Sequence, residues 1–400
     1  MYLFNDDVTL IFIIILVSRS CKMSTTQDCN QCFIDNTTLC PRPMEIVSNV
    51  DSTLLPSLVC VEHPKFLSVF DFPTSLVKSI DCNSDNVIKL IKLSEPLILK
   101  NCRFFDKARH WNLSYLSKTL WEEYAIYVSN SRKFLYYDST VDYSNYEKNY
   151  GWRPPFRTHF NSFQEFLNMA SELTKVKNGS FAYFQTLLHN DDFTTSLHKD
   201  MRDFNYTWLL HTVFELGWST NVLNMLFVGM PDVITRLHYD VMQNVFIQLQ
   251  GWKRFILFSP DHFGKLYPYP LGHPHDRQSM VDIEYPDYQR FPKFRHVKGL
   301  MAILGPGDVL YLPSCWWHEV ESNRNDFTVS LNFWFEENFE ETISRKMKNS
   351  AIFNVSANFT LSEEMIFRRY IESLVFNATR NTQMVKEIFQ DILHGRFEEI

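Results

Sequence analysis

Glycine and proline are scarce, 11 and 17 in 400 residues, which excludes a collagen-like or Pro/Gly-rich low-complexity chain over most of the length. Positive charge is not in excess: 39 Lys and Arg stand against 46 Asp and Glu, for a net charge of −7. No basic footprint for a phosphate backbone follows from that balance, and no nucleic-acid partner is expected. Long apolar runs are missing too. Val8 to Val17 is a largely apolar run of ten residues, too short to span a bilayer, so no stable membrane span is expected. Neither Gly-x-Ser-x-Gly nor Gly-x-x-x-x-Gly-Lys occurs, which removes the serine nucleophile elbow and the phosphate loop. There is no internal repeat. Aromatic residues, by contrast, are abundant: 35 Phe, 18 Tyr and 9 Trp favour a β-rich interior packed on pleated surfaces.

The amino-terminal stretch reads two ways. Val8 to Val17 has the length of a signal-peptide core, and Ser18 and Ser20 frame a cleavage site. Asp6 and Asp7 precede it without Lys or Arg, the wrong charge for a signal, and Met23 offers another start. Cys21, Cys29, Cys32 and Cys40 crowd this tail, while Cys60, Cys82, Cys102 and Cys315 are scattered. Cys29-x-x-Cys32 lacks a second pair at zinc-ribbon spacing, and no function is assigned to it. Asn-x-Ser/Thr sequons at Asn36, Asn112, Asn178, Asn205, Asn354, Asn358 and Asn377 matter only in a secreted chain.

Four regions follow from pattern. Residues 1–60 are a polar tail with the signal-like segment, and 61–178 alternate short apolar runs (Pro96 to Leu99) with helix-like stretches (Ser114 to Tyr124, Phe163 to Leu173), an α/β elaboration. Within 179–338 come short alternating strands punctuated by turns, the signature of a sandwich or jelly roll. Gln250-Gly251 reads as a hairpin, and Gly305-Pro-Gly-Asp308 as a turn. Residues 339–400 are helical, with Thr360-x-x-Glu363 as a capping box and Val385, Ile388, Phe389 and Ile392 on one face of a second helix.

His-x-Asp occurs at His189/Asp191, His198/Asp200 and His238/Asp240. The first two sit in polar stretches and read as solvated turn residues. The third lies in an alternating segment, Ile234 to Val241, whose period of two sends His238 and Asp240 to one face, about 7 Å apart along the strand. Both can reach one ion, and His318, beside Trp316 and Trp317 on a late strand, is the candidate third ligand of a two-histidine, one-carboxylate set. An isolated strand histidine is more often a hydrogen-bonded core or rim residue; it is the combination that points to a metal. Lys253, between Trp252 and Phe255, calls for a carboxylate partner, because a buried ammonium is costly without an anion. Three such ligands leave open positions on an octahedral iron for a 2-oxo acid and dioxygen.

These residues resemble the JmjC-type, cupin-fold Fe(II)/2-oxoglutarate oxygenases, and within them the asparaginyl hydroxylases of hypoxia-inducible factor. The resemblance rests on Lys133-Phe-Leu-Tyr-Tyr-Asp138, Tyr183-Phe-Gln-Thr-Leu187, His238-Tyr-Asp240 with Gln243-Asn244, Leu266-Tyr-Pro-Tyr-Pro270, His273-Pro-His-Asp-Arg-Gln-Ser279, Pro286 to Pro292, Gly305 to Pro313, Trp316-Trp-His318 and Asn332-Phe-Trp334. It runs from about Pro96 to Phe397. It implies a mainly β fold with helices: a double-stranded β-helix core carrying an amino-terminal α/β elaboration and a carboxy-terminal helical segment that forms a homodimer. It implies Fe(II) on His238, Asp240 and His318, and O2 as cosubstrate. Lys253, Thr235 and Tyr183 would hold the distal carboxylate of 2-oxoglutarate, with Asn244 and Asn332 near its iron-chelating end. Simple alternation puts Thr235 on the face opposite His238, so its role rests on the resemblance alone. Arg277 and Gln278 would read a substrate side-chain amide, with Tyr136, Asp138 and Trp334 along the peptide groove. The expected reaction is β-hydroxylation of asparagine in an extended segment of a transactivation-domain or ankyrin-repeat protein, in the cytoplasm and nucleus, or in the secretory pathway if residues 1–22 act as a signal. The alternatives are a tRNA-nucleoside hydroxylase, a lysyl hydroxylase or a demethylase. Met225-Leu-Phe227, Arg236-Leu237 and Cys315 depart from the family pattern and bear on affinity and substrate range.

Overall fold

A computed structural model describes residues 64–176, 179–188, 196–353 and 356–396. Residues 64–382 form one compact unit. The final helix, Thr382–Arg396, lies almost wholly outside it and carries Val385, Ile388, Phe389 and Ile392 at helical spacing.

The described residues hold fifteen strands: β1 (Thr74–Leu76), β2 (Lys78–Asp81), β3 (Leu97–Lys100), β4 (Tyr124–Ser129), β5 (Lys133–Phe134), β6 (Arg157–Asn161), β7 (Phe181–Leu187), β8 (Trp218–Gly229), β9 (Ile234–Tyr239), β10 (Gln243–Gln250), β11 (Lys253–Phe258), β12 (Gly299–Leu304), β13 (Val309–Leu312), β14 (Trp317–Ser322) and β15 (Thr328–Glu337). They form two sheets, a six-stranded one in the order β1-β12-β11-β14-β9-β5 and a nine-stranded one in the order β2-β3-β13-β10-β15-β8-β7-β4-β6. This is a jelly-roll core flanked by helices, with strands from the amino-terminal elaboration hydrogen-bonded into both sheets.

Period-two alternation explains the layers. On the outward face of the large sheet, Leu226 and Val228 of β8, Val245 and Ile247 of β10, and Val329, Leu331 and Phe333 of β15 pack against Phe104, Trp111, Phe166 and Leu209 in one apolar cluster. The intervening positions face the other sheet. There Phe246, Leu310 and Leu312 meet Phe255, Leu257 and Val320 in a smaller cluster between the sheets. Toward one end of this interior the apolar pattern gives way to polar residues, Ser330 and Asn332 on β15 and Lys253 on β11, all buried.

Gln250-Gly251 is not a hairpin: β10 and β11 belong to different sheets, and Gly251 carries the chain across the sandwich. Its φ is +69°, and a Cβ there would lie 2.4 Å from the Phe327 carbonyl oxygen, so both backbone and space require glycine. The Gly305 to Asp308 turn forms as its sequence indicates, closed by the Asp308 N–H donating to the Gly305 carbonyl.

The helix α8, Leu361–Thr379 (with α1 Val87–Ile91, α2 Leu113–Thr119, α3 Ser144–Tyr150, α4 Phe163–Val176, α5 Ser196–Arg202, α6 Thr207–Leu216 and α7 Phe339–Phe353 before it), begins with the Thr360/Glu363 capping box. Part of its apolar side packs on the chain's own core: Met365 and Phe367 are buried, while Tyr370 and Leu374 remain exposed. Among the described residues no helix is long and apolar enough to cross a membrane.

Candidate metal centre and cosubstrate pocket

His238 on β9 and His318 on β14 are direct partners in the antiparallel ladder. Their ring centroids are 4.1 Å apart. Each imidazole is fixed by a backbone carbonyl two residues earlier: His238 Nδ1 bonds the Arg236 oxygen at 2.8 Å and His318 Nδ1 the Trp316 oxygen at 3.0 Å. Nδ1 therefore carries the proton in each ring, and Nε2 presents its lone pair. Asp240 lies just beyond the end of β9, where the Cys315 N–H donates to its backbone oxygen at 2.6 Å. One ligand atom from each of His238, Asp240 and His318 lies within 4.8 Å of the others, close enough to share an ion.

The electrostatics suit a cation. Burial pushes His238 below its ordinary value, and burial together with the neighbouring His238 drives His318 down to about 3, so both rings are neutral ligands at physiological pH. For Asp240 burial favours the neutral acid, but the charges of His238 and His318, where those rings are protonated, and of Arg277 outweigh it and hold the carboxyl below its ordinary value. Arg277 Nη1 is 3.4 Å from Asp240 Oδ1.

A cavity of about 350 Å³ opens beside the triad, lined by Tyr183, Thr235, His238, Asp240, Tyr136, Arg277, Gln278 and Trp334 together with Tyr127, Phe134, Phe156, Met225 and Phe227. Behind Tyr183, which lines the cavity, Lys253 is buried, with Nζ 3.1 Å from Ser330 Oγ and 3.4 Å from the Tyr183 hydroxyl. The carboxylate partner expected for Lys253 is not supplied by the described residues. Burial alone pushes its amine down to about 7. The Thr235 side chain hydrogen-bonds Tyr183, completing a hydroxyl cluster around the lysine.

Thr235 reaches this face by a route that alternation does not foresee. His238 pairs with His318 and Thr235 with Val320, so three steps on β9 match two on β14. This β-bulge returns Thr235 to the side of His238. The Leu237 N–H within the bulge donates to Glu319 Oε2 at 3.2 Å. Glu319 is buried, which raises its carboxyl to about 7 against the pull of Arg236.

The remaining expected residues divide. Asn244 and Asn332 are buried on the inner faces of β10 and β15, and the side-chain oxygen of each lacks a hydrogen-bond partner among the described residues. Gln278 bridges to His238, is 2% exposed, and leaves Oε1 unpartnered. Arg277, with φ +68°, also lines the cavity and places Nη1 3.4 Å from Asp240 Oδ1. Asp138 does not line the cavity; its carboxylate caps the following turn through Thr140. His198 and Asp200 are not solvated turn residues: both lie in α5, and Asp200 accepts from Trp111 Nε1 at 2.9 Å and from the Tyr115 hydroxyl at 2.5 Å. His189 and Asp191, like Cys29, Cys32 and Cys40, fall outside the described residues. Ser330 is absent from the sequence reading, and Gln185 and Phe134 enter it only inside longer motifs without a role, although Ser330 stands two residues from Asn332 and Gln185 two from Tyr183, the spacing that shares a strand face.

The donor set and the buried Lys253 amine fit a divalent iron with a chelating dicarboxylate. Two neutral imidazoles and a carboxylate leave open coordination positions, and an unpaired buried lysine lies where an anion could neutralise it.

The sequence is similar to that of known proteins. A family model described as a cupin-like domain matches residues 86–341. HSPB1-associated protein 1 of Homo sapiens is 29% identical over 268 residues, covering 62% of this chain and 49% of the relative. Lysine-specific demethylase 8 of Xenopus tropicalis is 36% identical over 107 residues, 27% of this chain and 24% of its own. The tRNA wybutosine-synthesizing protein 5 of Danio rerio is 36% identical over 108 residues, 27% of this chain and 31% of its own. The chain spans about half the length of the HSPB1-associated proteins it matches. With the matched stretch containing all three metal-ligand candidates and most of both sheets, the chain belongs to the cupin-like domain family.

Proposed function

We propose that the protein is an oxygenase that uses Fe(II), 2-oxoglutarate and O2 to oxidise a C–H bond of a protein side chain. The observation that carries the reading is Lys253, a buried amine among hydroxyls with no carboxylate partner among the described residues, on the same interior as a His-Asp-His triad. Bound together, iron and 2-oxoglutarate would supply the oxidising power. The chain's own residues would do the placing. His238, Asp240 and His318 hold the ion, Lys253, Tyr183, Thr235 and Ser330 hold the distal carboxylate, and the Asn244 and Asn332 side chains border the chelating end. Tyr136, Phe134, Phe156 and Trp334 give the cavity an aromatic wall.

For the substrate, the comparisons favour a JmjC oxygenase other than an asparaginyl hydroxylase, since relatives bear the names lysine-specific demethylase 8 and tRNA wybutosine-synthesizing protein 5. A net charge of −7 weighs against tRNA, which leaves a lysyl-type hydroxylase or demethylase as the first reading. Asparaginyl β-hydroxylation, on a hypoxia-inducible-factor-like or ankyrin-repeat segment, is second. Its support is Gln278 Oε1, a buried acceptor on the cavity wall that an amide N–H would satisfy. Incubation with Fe(II), 2-oxoglutarate and, separately, lysine-rich, methyl-lysine and Asn-containing ankyrin-repeat peptides and tRNA decides by mass. An oxygen added on lysine or a methyl group lost supports the first reading, and an oxygen localised to asparagine the second. Product on tRNA alone contradicts both. We also propose a homodimer built through residues 339–400, supported by the exposed Tyr370 and Leu374 of α8, with light scattering on the full chain as its test.

A further inference from the structure

We infer that this chain is N-glycosylated and carries an oxidised Cys82–Cys102 pair, and that it matures in an oxidising, glycosylating compartment. Two independent features point there, and neither depends on the reaction proposed above.

The first is covalent. Cys82 directly follows β2 and Cys102 lies two residues beyond β3, and these strands pair in parallel with Asp81 opposite Lys100. The Cys82 N–H donates to the Lys100 carbonyl at 2.8 Å, which holds the two chain ends side by side. The sulfurs are joined in a disulfide that closes a separation of 20 residues, and both cysteines are buried, at 5% and 1% exposed. Such a bond persists where thiols are not continually reduced.

The second feature is where the asparagines lie. Four sequon asparagines fall among residues whose side chains are described, Asn112, Asn205, Asn358 and Asn377, and all four are exposed. The asparagines that the fold buries, Asn224, Asn244, Asn323 and Asn332, all stand outside sequons. Asn112 and Asn205 each use the side-chain oxygen to accept a nearby backbone N–H, which leaves the amide nitrogen outward. None of the four lines the cavity beside the metal triad, so glycans there leave substrate access open; Asn377 shares the α8 face of Tyr370 and Leu374, so a glycan at that one site and the dimer proposed through that face exclude each other.

The chemistry is complete. In disulfide formation the two thiols lose two protons and two electrons to the disulfide of an oxidoreductase, which becomes a dithiol. In glycosylation the asparagine Nδ2 forms a bond to the anomeric carbon of a lipid-linked oligosaccharide pyrophosphate, the carbon–oxygen bond to the pyrophosphate breaks, and Nδ2 gives a proton to the transferase's base.

The test is expression of the full chain in animal cells, followed by peptide:N-glycosidase and by alkylation without reductant. The inference expects a mass decrease on glycosidase treatment, a smaller decrease for each of Asn112→Gln, Asn205→Gln, Asn358→Gln and Asn377→Gln that removes an occupied site, and a Cys82–Cys102 peptide pair that alkylates only after reduction. A chain of unmodified mass, indifferent to the glycosidase, overturns it, as does free alkylation of both Cys82 and Cys102.

Discussion

His238 and His318 face each other across the β9–β14 ladder, ring centroids 4.1 Å apart, each anchored through Nδ1 to the carbonyl two residues before it. The same hydrogen-bond arrangement on two antiparallel strands sets both Nε2 atoms toward one point, so the sheet itself orients the ligands. Asp240 completes the set from the turn beyond β9, where Cys315 binds its carbonyl.

Replacing Asp240 by alanine removes the only carboxylate of the triad and leaves two neutral imidazoles. Iron affinity should fall by at least about tenfold, the low end for loss of groups that orient or supply ligands, while the metal-free protein keeps its fold with a modestly lower melting temperature, since Arg277 loses its partner carboxylate. Iron content after dialysis checks this. Full retention of iron would place the metal elsewhere.

Lys253 gives opposite pH dependences for stability and for binding. Its folded value, about 7, lies below the 10.5 of the free side chain, so between those values the unfolded chain binds more protons and the stability of the cosubstrate-free protein rises with pH. An anion at Nζ is held best by the protonated amine, so 2-oxoglutarate affinity should fall as pH rises above about 7. In Lys253→Met both slopes should flatten, and 2-oxoglutarate affinity should drop by roughly tenfold to a hundredfold, the loss of a charge-assisted contact of about 1.5–3 kcal/mol. Calorimetric titration at pH 6.5, 7.5 and 8.5 measures it, and a pH-independent affinity in the unmodified protein would count against the lysine.

Glu319 holds the bulge that turns Thr235 inward. Glu319→Ala leaves the buried Leu237 N–H without its acceptor, a penalty of about 1–3 kcal/mol, and frees β9 to return to regular pairing. We expect a lower melting temperature and a raised 2-oxoglutarate requirement together. A variant with ordinary 2-oxoglutarate affinity despite the destabilisation would show that Thr235 does not contribute to that pocket.

Gln278→Ala separates the two substrate readings. If an asparagine amide is recognised, the variant should lose turnover on Asn-containing peptides by more than it loses turnover on lysine peptides, because only the amide substrate leaves its own polar group unpaired. Equal losses on both would assign Gln278 to shaping the cavity.

His238 and Asp240 are legible as a His-x-Asp pair in an alternating segment, although Asp240 stands just beyond the strand and reaches the site from the following turn. Lys253 is legible as an anomaly in an apolar strand. Thr235 is not, because a bulge arises from cross-strand register, and a single strand's sequence does not record which residues of its partner it will meet. Gly251 misleads for a related reason: a glycine with positive φ serves a hairpin and a crossing between sheets equally well, and only the partners of β10 and β11 distinguish them. Asp200 reads as solvated because its partners, Trp111 and Tyr115, lie 89 and 85 residues away in the chain.

The most direct test is formation of succinate from 2-oxoglutarate by the purified protein in air with Fe(II), compared with Asp240→Ala and Lys253→Met. Slow, iron-dependent and oxygen-dependent succinate release is expected, lost in the first variant and in the second recovered only at high 2-oxoglutarate. Absence of succinate from the unmodified protein, together with no heat of 2-oxoglutarate binding in the presence of Fe(II), would contradict the proposed chemistry.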